Sequence, residues 1–188
     1  GAAQANMTTA AVGTVAVGYQ ALNVLTSGER NIAIGYQTLL VADGAESDNI
    51  AIGYQAMDSS NNDGIVRNIA IGSYALDDMA TNVGTDNIAI GYNALTDATT
   101  GDGTVGVGSY ALAGLTDGER NLAVGFMALQ DITEADDNVA LGYLALNGST
   151  ATTSHQNVAI GNYTLDGIGS NVAVKNTAVG HNALSGVT

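Results

Sequence analysis

Asn31-Ile32-Ala33-Ile34-Gly35-Tyr36-Gln37-Thr38-Leu39 decides the fold, because versions of it recur ten times along the chain. The glycine that closes each version stands at Gly18, Gly35, Gly53, Gly72, Gly91, Gly108, Gly125, Gly142, Gly161 and Gly180. Successive spacings are 17, 18, 19, 19, 17, 17, 17, 19 and 19 residues. A period near 18 sustained over ten copies predicts a solenoid in which each copy is one coil.

Two branched residues flank an alanine or glycine ahead of each corner glycine, as in Ile32/Ile34, Ile69/Ile71 and Val158/Ile160. Alternation with period two and β-branched enrichment predicts one short strand per coil, stacked in parallel. A helix fits poorly, since each interior glycine would cost about 1 kcal/mol. The branched residues are expected to point inward and Ala33, Ala51, Ala70, Ala89, Ala123, Ala140, Ala159 and Ala178 outward, leaving a flat apolar row open to another backbone. Four residues after the glycine, nine coils carry leucine and one carries Met57, an interior site of fixed size. All length variation falls in the return segments, and all 18 acidic residues lie there too.

Parallel coils ~4.8 Å apart turn equivalent positions into ladders, and ten of them would make a rod ~50 Å long. Asparagine stands at the strand entrance in Asn31, Asn49, Asn68, Asn87, Asn121, Asn138, Asn157 and Asn176, with Thr14 and Thr104 in its place elsewhere. Stacked amides can bond to each other and to turn backbone. The residue before it forms a charge ladder, Arg30, Asp48, Arg67, Asp86, Arg120 and Asp137, continued by Gln156 and Lys175. Every Lys and Arg in the chain sits in this column, which sets register more than stability. Aromatic rings line the corner: Tyr19, Tyr36, Tyr54, Tyr74, Tyr92, Tyr110, Phe126, Tyr143 and Tyr163. Such a row can cover the core edge, pack against another chain or hold sugars.

The chain has 188 residues, 25 glycines, no proline, no cysteine, no tryptophan and a net charge of −14. Four cations cannot meet a phosphate backbone, so nucleic acid is excluded as a partner. No disulfide or thiolate metal site can form. No apolar run approaches the length of a membrane span, so no membrane insertion is expected. The two histidines, His155 in a return loop and His181 at a corner, have no nucleophile or paired acid at a catalytic spacing, and no enzyme is expected. No cofactor is expected either; Asn61-Asn62-Asp63-Gly64 and Asp136-Asp137 could hold Ca²⁺ through oxygens, though neither matches an EF-hand loop or a calcium-binding nonapeptide.

The N-(I/V)-A-(I/V)-G core resembles the head repeats of trimeric autotransporter adhesins, the YadA-like heads, and the longer N-I-A-I-G-Y-Q-A-L form resembles repeats in bacteriophage tail fibres. The resemblance covers residues 14 to 188 and rests on core residues. It implies a left-handed parallel β-roll, three chains side by side in a homotrimer, and a role in host-receptor attachment, with a glycan among the candidate receptors. Its repeat of ~18 residues and its Tyr and Leu ladders depart from the adhesin heads and favour a phage fibre.

The expectations are therefore an all-β parallel β-solenoid of about ten coils, residues 1–13 an entry segment and 14–188 the β-roll, as a piece of a longer fibre. The place is extracellular, on a virion tail fibre or a bacterial cell surface. The alternatives are the head of a bacterial surface adhesin and, from another class, an ice- or surface-binding solenoid, which would want ranks of threonine that this sequence scatters among loops. Contact with a receptor would fall to the variable loops Gln37–Asp48, Asp58–Arg67 and Gly148–Gln156.

Overall fold

The structure is a computed structural model, described here for residues 12–41, 46–59, 64–78, 84–98, 101–148, 154–167 and 174–186. Ten three-residue strands form one parallel sheet in sequence order. They are β1 (Val15–Val17), β2 (Ile32–Ile34), β3 (Ile50–Ile52), β4 (Ile69–Ile71) and β5 (Ile88–Ile90), then β6 (Val105–Val107), β7 (Leu122–Val124), β8 (Val139–Leu141), β9 (Val158–Ile160) and β10 (Thr177–Val179). Each pair is in register, Ala33 on Ala51 and Ala51 on Ala70, with Gly106 taking the alanine's place in β6. The all-β parallel solenoid read from the repeat is therefore present, with the branched–small–branched triplets as its strands.

The facing of those strands is the reverse of the expectation. The central alanines of β2 to β5 and β7 to β9 are fully buried, while the branched residues on either side are half-buried or exposed. The reason is the width of the coil. A rung this short has room inside for methyl groups from the strand and for one leucine from the opposite wall. That wall supplies a second alanine column, three residues after the corner glycine (Ala21, Ala56, Ala75, Ala94, Ala111, Ala128 and Ala145), all buried. The leucine column after it is buried too, from Leu22 and Leu39 to Leu146, with Met57 in its one exceptional place. Leu25, Leu115 and Ile132 fill the space under the return segments. The equivalent Ala42, Ser60, Met79, Ser149, Ile168 and Val187 lie outside the described residues, as does nearly all of the entry segment 1–13.

The rest of the rung is held by left-handed backbone at fixed columns. The charge column (Arg30, Asp48, Arg67), the second residue after the glycine (Gln37, Gln55, Tyr74) and the leucine column (Leu39, Met57, Leu76) all have φ between 49° and 61°. Non-glycine residues adopt this region at a cost of about 1–2 kcal/mol each, which the surrounding structure must over-determine. The return is hydrogen bonding between rungs: Gln37 N donates to Tyr19 O at 2.8 Å, and Leu39 N donates to Ala56 O at 3.1 Å. The turns thus bond to the rungs on either side much as the strands do, which pairs amides such as those of Gln37 and Leu39 away from water. The corner glycines need more than a sign of φ. At Gly91 (φ 142°) a Cβ would lie 2.5 Å from the Gly108 carbonyl oxygen, because the corners stack directly on one another.

Candidate functional site

Two adjoining surfaces carry chemistry that the fold does not consume. The first is the outer face of the sheet. Ile34, Ile71, Ile90, Val124 and Ile160 are 37–38% exposed, and Ile32, Ile50, Ile69 and Ile88 beside them are half-buried. The strand columns contain no charged residue from β1 to β10. The result is an apolar stripe that follows the stack from end to end.

The second surface is the aromatic ladder at the corner, continuous with that stripe. Tyr19, Tyr36 and Tyr54 stack face to face with centroids 5.3 and 5.1 Å apart, as do Phe126 and Tyr143 at 5.6 Å. Where the ring moves one residue later, at Tyr74, Tyr110 and Tyr163, the contacts become edge-to-face: Tyr54–Tyr74 at 5.4 Å, Tyr92–Tyr110 at 5.3 Å and Tyr143–Tyr163 at 5.2 Å. Both geometries suit the ring quadrupole. His181 extends the ladder edge-on to Tyr163 at 5.8 Å, a member that its position after Gly180 could have revealed. Burial, aided by the neighbouring tyrosine, pushes the Tyr74, Tyr110 and Tyr163 phenols above their ordinary value.

The remaining ladders are structural. Asn31, Asn49, Asn68, Asn87, Asn121, Asn138 and Asn157 are buried and Asn176 is half-buried. Each of Asn31, Asn49, Asn68, Asn87, Asn121 and Asn138 donates Nδ2 to a return-segment carbonyl, as Asn68 does to Gly84 O at 2.8 Å and Asn138 to Ser154 O at 2.7 Å. In the charge column each Arg grips the aspartate of the following rung. Arg30 Nε lies 2.6 Å from Asp48 Oδ1, and Arg67 Nε and Arg120 Nε lie 2.7 Å from Asp86 and Asp137. These hydrogen bonds hold the Asp48, Asp86 and Asp137 carboxyls below the usual range. All three pairs are exposed.

Of the calcium candidates, Asn61, Asn62 and Asp63 lie outside the described residues. Asp136 and Asp137 have partners within the protein: Asp136 Oδ1 accepts from Glu119 N at 2.9 Å, and Asp137 is held by Arg120. Among the described residues no cluster of three metal-type ligands forms.

A column missed in the sequence lies five residues after the corner glycine, where Asp58 and Asp77 stand on adjacent rungs and Asn147 and Asp166 form a second adjacent pair further along the stack. Burial raises the Asp58 and Asp166 carboxyls, and burial together with the charge of Asp58 brings Asp77 to about 6. Asp58 Oδ2 accepts from Gln55 Nε2 at 2.9 Å, while Asp58 Oδ1 and Asp77 Oδ1 are enclosed without a hydrogen-bond partner. The partial burial of these carboxyls comes from stacking, which composition does not show.

Comparison with family models, curated proteins and solved structures finds no match to this chain.

Proposed function

We propose that this chain is a segment of a homotrimeric attachment fibre of the bacteriophage tail-fibre kind, working outside the cell in contact with a host receptor. The observation that carries the reading is the apolar stripe of Ile34, Ile71, Ile90, Val124 and Ile160 on the sheet face. An isolated soluble chain rarely leaves so long a continuous apolar surface in water. The stripe has the uniform height and spacing of the rungs, so an identical chain set alongside matches it row for row. Closed symmetry then limits the assembly to a small ring, and three is the number that the resemblance to adhesin heads implies.

Association through the sheet face leaves the return segments outward for receptor contact, and the charge of −14 keeps such rods from bundling. The head of a bacterial surface adhesin would use the same assembly, and the repeat length and aromatic ladder favour the phage fibre over it. Multi-angle light scattering tests the central claim. A particle three times the 18.8 kDa chain mass is expected, and a monomer across micromolar concentrations overturns the reading.

A further inference from the structure

Where the corner meets the return segments between β4 and β7, two depressions of about 370 and 420 Å³ adjoin. They share Asn93, Thr96 and Asp97, so they form one groove. Its origin is a set of side chains at Asn93, Ala113 and Gly114 that are shorter than those on the adjacent rungs. Asn93 stands in the column where the rungs on either side carry Tyr74 and Tyr110. Ala113 and Gly114 occupy the places that Thr96 and Asp97 fill one rung before and Gln130 and Asp131 fill one rung after. The groove therefore runs across four rungs, ~14 Å along the stack, with room for a short oligosaccharide.

The lining has a definite chemical character. Tyr74, Tyr92 and Tyr110 give ring edges and faces for C–H contact. Asp77, Asp97 and Asp131 accept hydrogen bonds, and no Lys, Arg or His lines either part. Acceptors exceed donors, with the Thr96 hydroxyl and the Asn93 and Gln130 amides as the polar donors beside the tyrosines. Asn93 Oδ1 and Asp77 Oδ1 are enclosed in its wall without a hydrogen-bond partner. An occupant must bring donors and no negative charge. Adjacent hydroxyls of a pyranose do this against a carboxylate, and the same ring offers an apolar face to a tyrosine.

We propose that this groove binds a neutral, hydroxyl-rich oligosaccharide, with Asp97 and Asp131 accepting from its hydroxyls and Tyr74 and Tyr110 flanking its rings over Asn93. The proposal gives the receptor of the attachment reading a chemical class and rests on that reading for its biological role. Its chemistry stands on the groove alone.

The test uses the full chain on an array of neutral, amino-bearing, sialylated and sulfated glycans, followed by calorimetric titration of the best neutral oligosaccharide in EDTA. Neutral glycans are expected to bind and acidic ones to be rejected. Asn93→Tyr, which continues the side chain of Tyr74 and Tyr110 through the notch, should weaken binding at least tenfold. Asp97→Asn should weaken it several-fold without lowering the thermal midpoint, since burial raises that carboxyl and its loss removes a penalty. Binding to none of the glycans, binding only to acidic ones, loss of binding in EDTA, or equal affinity in Asn93→Tyr would each overturn the proposal. Light scattering on the same samples separates the two claims. A monomer that binds neutral glycan at Asn93 removes the fibre and keeps the groove; a trimer that binds nothing removes the groove and keeps the fibre.

Discussion

The side-chain oxygen of Asn31 accepts two hydrogen bonds from Asn49 in the next rung, one from its backbone N at 3.0 Å and one from Nδ2 at 3.2 Å. Asn49 repeats the backbone bond to Asn68, and Asn68 to Asn87 at 2.9 Å. Each amide therefore closes a strand entrance above it and a return segment beside it, in a buried site.

Removing one rung of that ladder should be costly. Asn68→Ala strands the Asn87 N–H and the Gly84 carbonyl, both of which it satisfies. Buried polar groups left unpaired cost about 1–3 kcal/mol each, so chemical denaturation should show a loss of at least about 2 kcal/mol. Thr104, which offers Asn121 N only a 3.5 Å contact, gives the converse test. Thr104→Asn should stabilise by about 1 kcal/mol, and a neutral result would show that the ladder contributes no continuity.

The inverted strand facing separates stability from assembly. Ala70 is fully buried against the opposite wall, so Ala70→Ile should overpack the coil and cost about 1–3 kcal/mol or more. Ile71, one residue on, is exposed. The double variant Ile71→Asp with Ile90→Asp should keep the β-rich circular dichroism of the parent but sediment as a monomer. If it stays folded and sediments as the parent does, the stripe is not the assembly face.

Much of this was legible in the residues. The ten strands, the parallel stacking and the leucine and asparagine columns follow from a period that survives loops of varying length. The facing of the strands was not, and the cause is physical. Alternation in Ile32-Ala33-Ile34 divides the residues into two sets without saying which set is inside. In a two-layer globular core the larger set goes in; in a coil this narrow the methyl row must. Ala56, Ala75 and Ala94 held the missing clue, since a second invariantly small column opposite the first implies walls too close for isoleucine. The groove at Asn93 was hidden for another reason: it exists only as a difference between neighbouring rungs, and a motif search discards such differences.

The corner column should tolerate no side chain. In Gly91→Ala the new Cβ would lie 2.5 Å from Gly108 O in a backbone at φ 142°, so a loss of about 3 kcal/mol or more is expected. Gly103, at φ 65° with no atom within 4 Å of the Cβ position, is a control in the charge column where Arg67 and Asp86 hold the same backbone. Gly103→Asn should change stability by less than about 1 kcal/mol. Equal losses in the two variants would show that left-handed backbone, and not corner stacking, limits substitution.

In the charge column, Arg67 meets both oxygens of Asp86, at 2.7 and 2.8 Å. Arg67→Asp would set three aspartates, at 48, 67 and 86, on successive rungs. The thermal midpoint of that variant should fall in low salt and recover toward the parent in high salt, as exposed charges do. Adding Asp86→Arg should restore it. Identical midpoints for the single and double variants would remove any register role from the column.

Asp77 should give the protein an unusual response to pH. Burial and the neighbouring charges of Asp58 and Asp78 raise its carboxyl to about 6, so the folded state holds its proton more tightly than the unfolded chain does. Between the ordinary aspartate value, about 4, and about 6 the folded form carries the extra proton, and stability falls as pH rises through that window. Asp58 and Asp97, raised by burial, act in the same direction. Asp48, Asp86 and Asp137, lowered by their arginines, act oppositely and below it, losing their contribution as pH falls through their depressed values. Asp77→Asn removes the penalty without changing shape, since Asn23 and Asn147 stand in the same column. Because Asp77 is half open to solvent, screening discounts the gain at pH 7 to about 1 kcal/mol, or a midpoint higher by about 2–4 °C. At pH 4 parent and variant should melt together, and a constant difference from pH 4 to pH 7 would mean that Asp77 titrates normally.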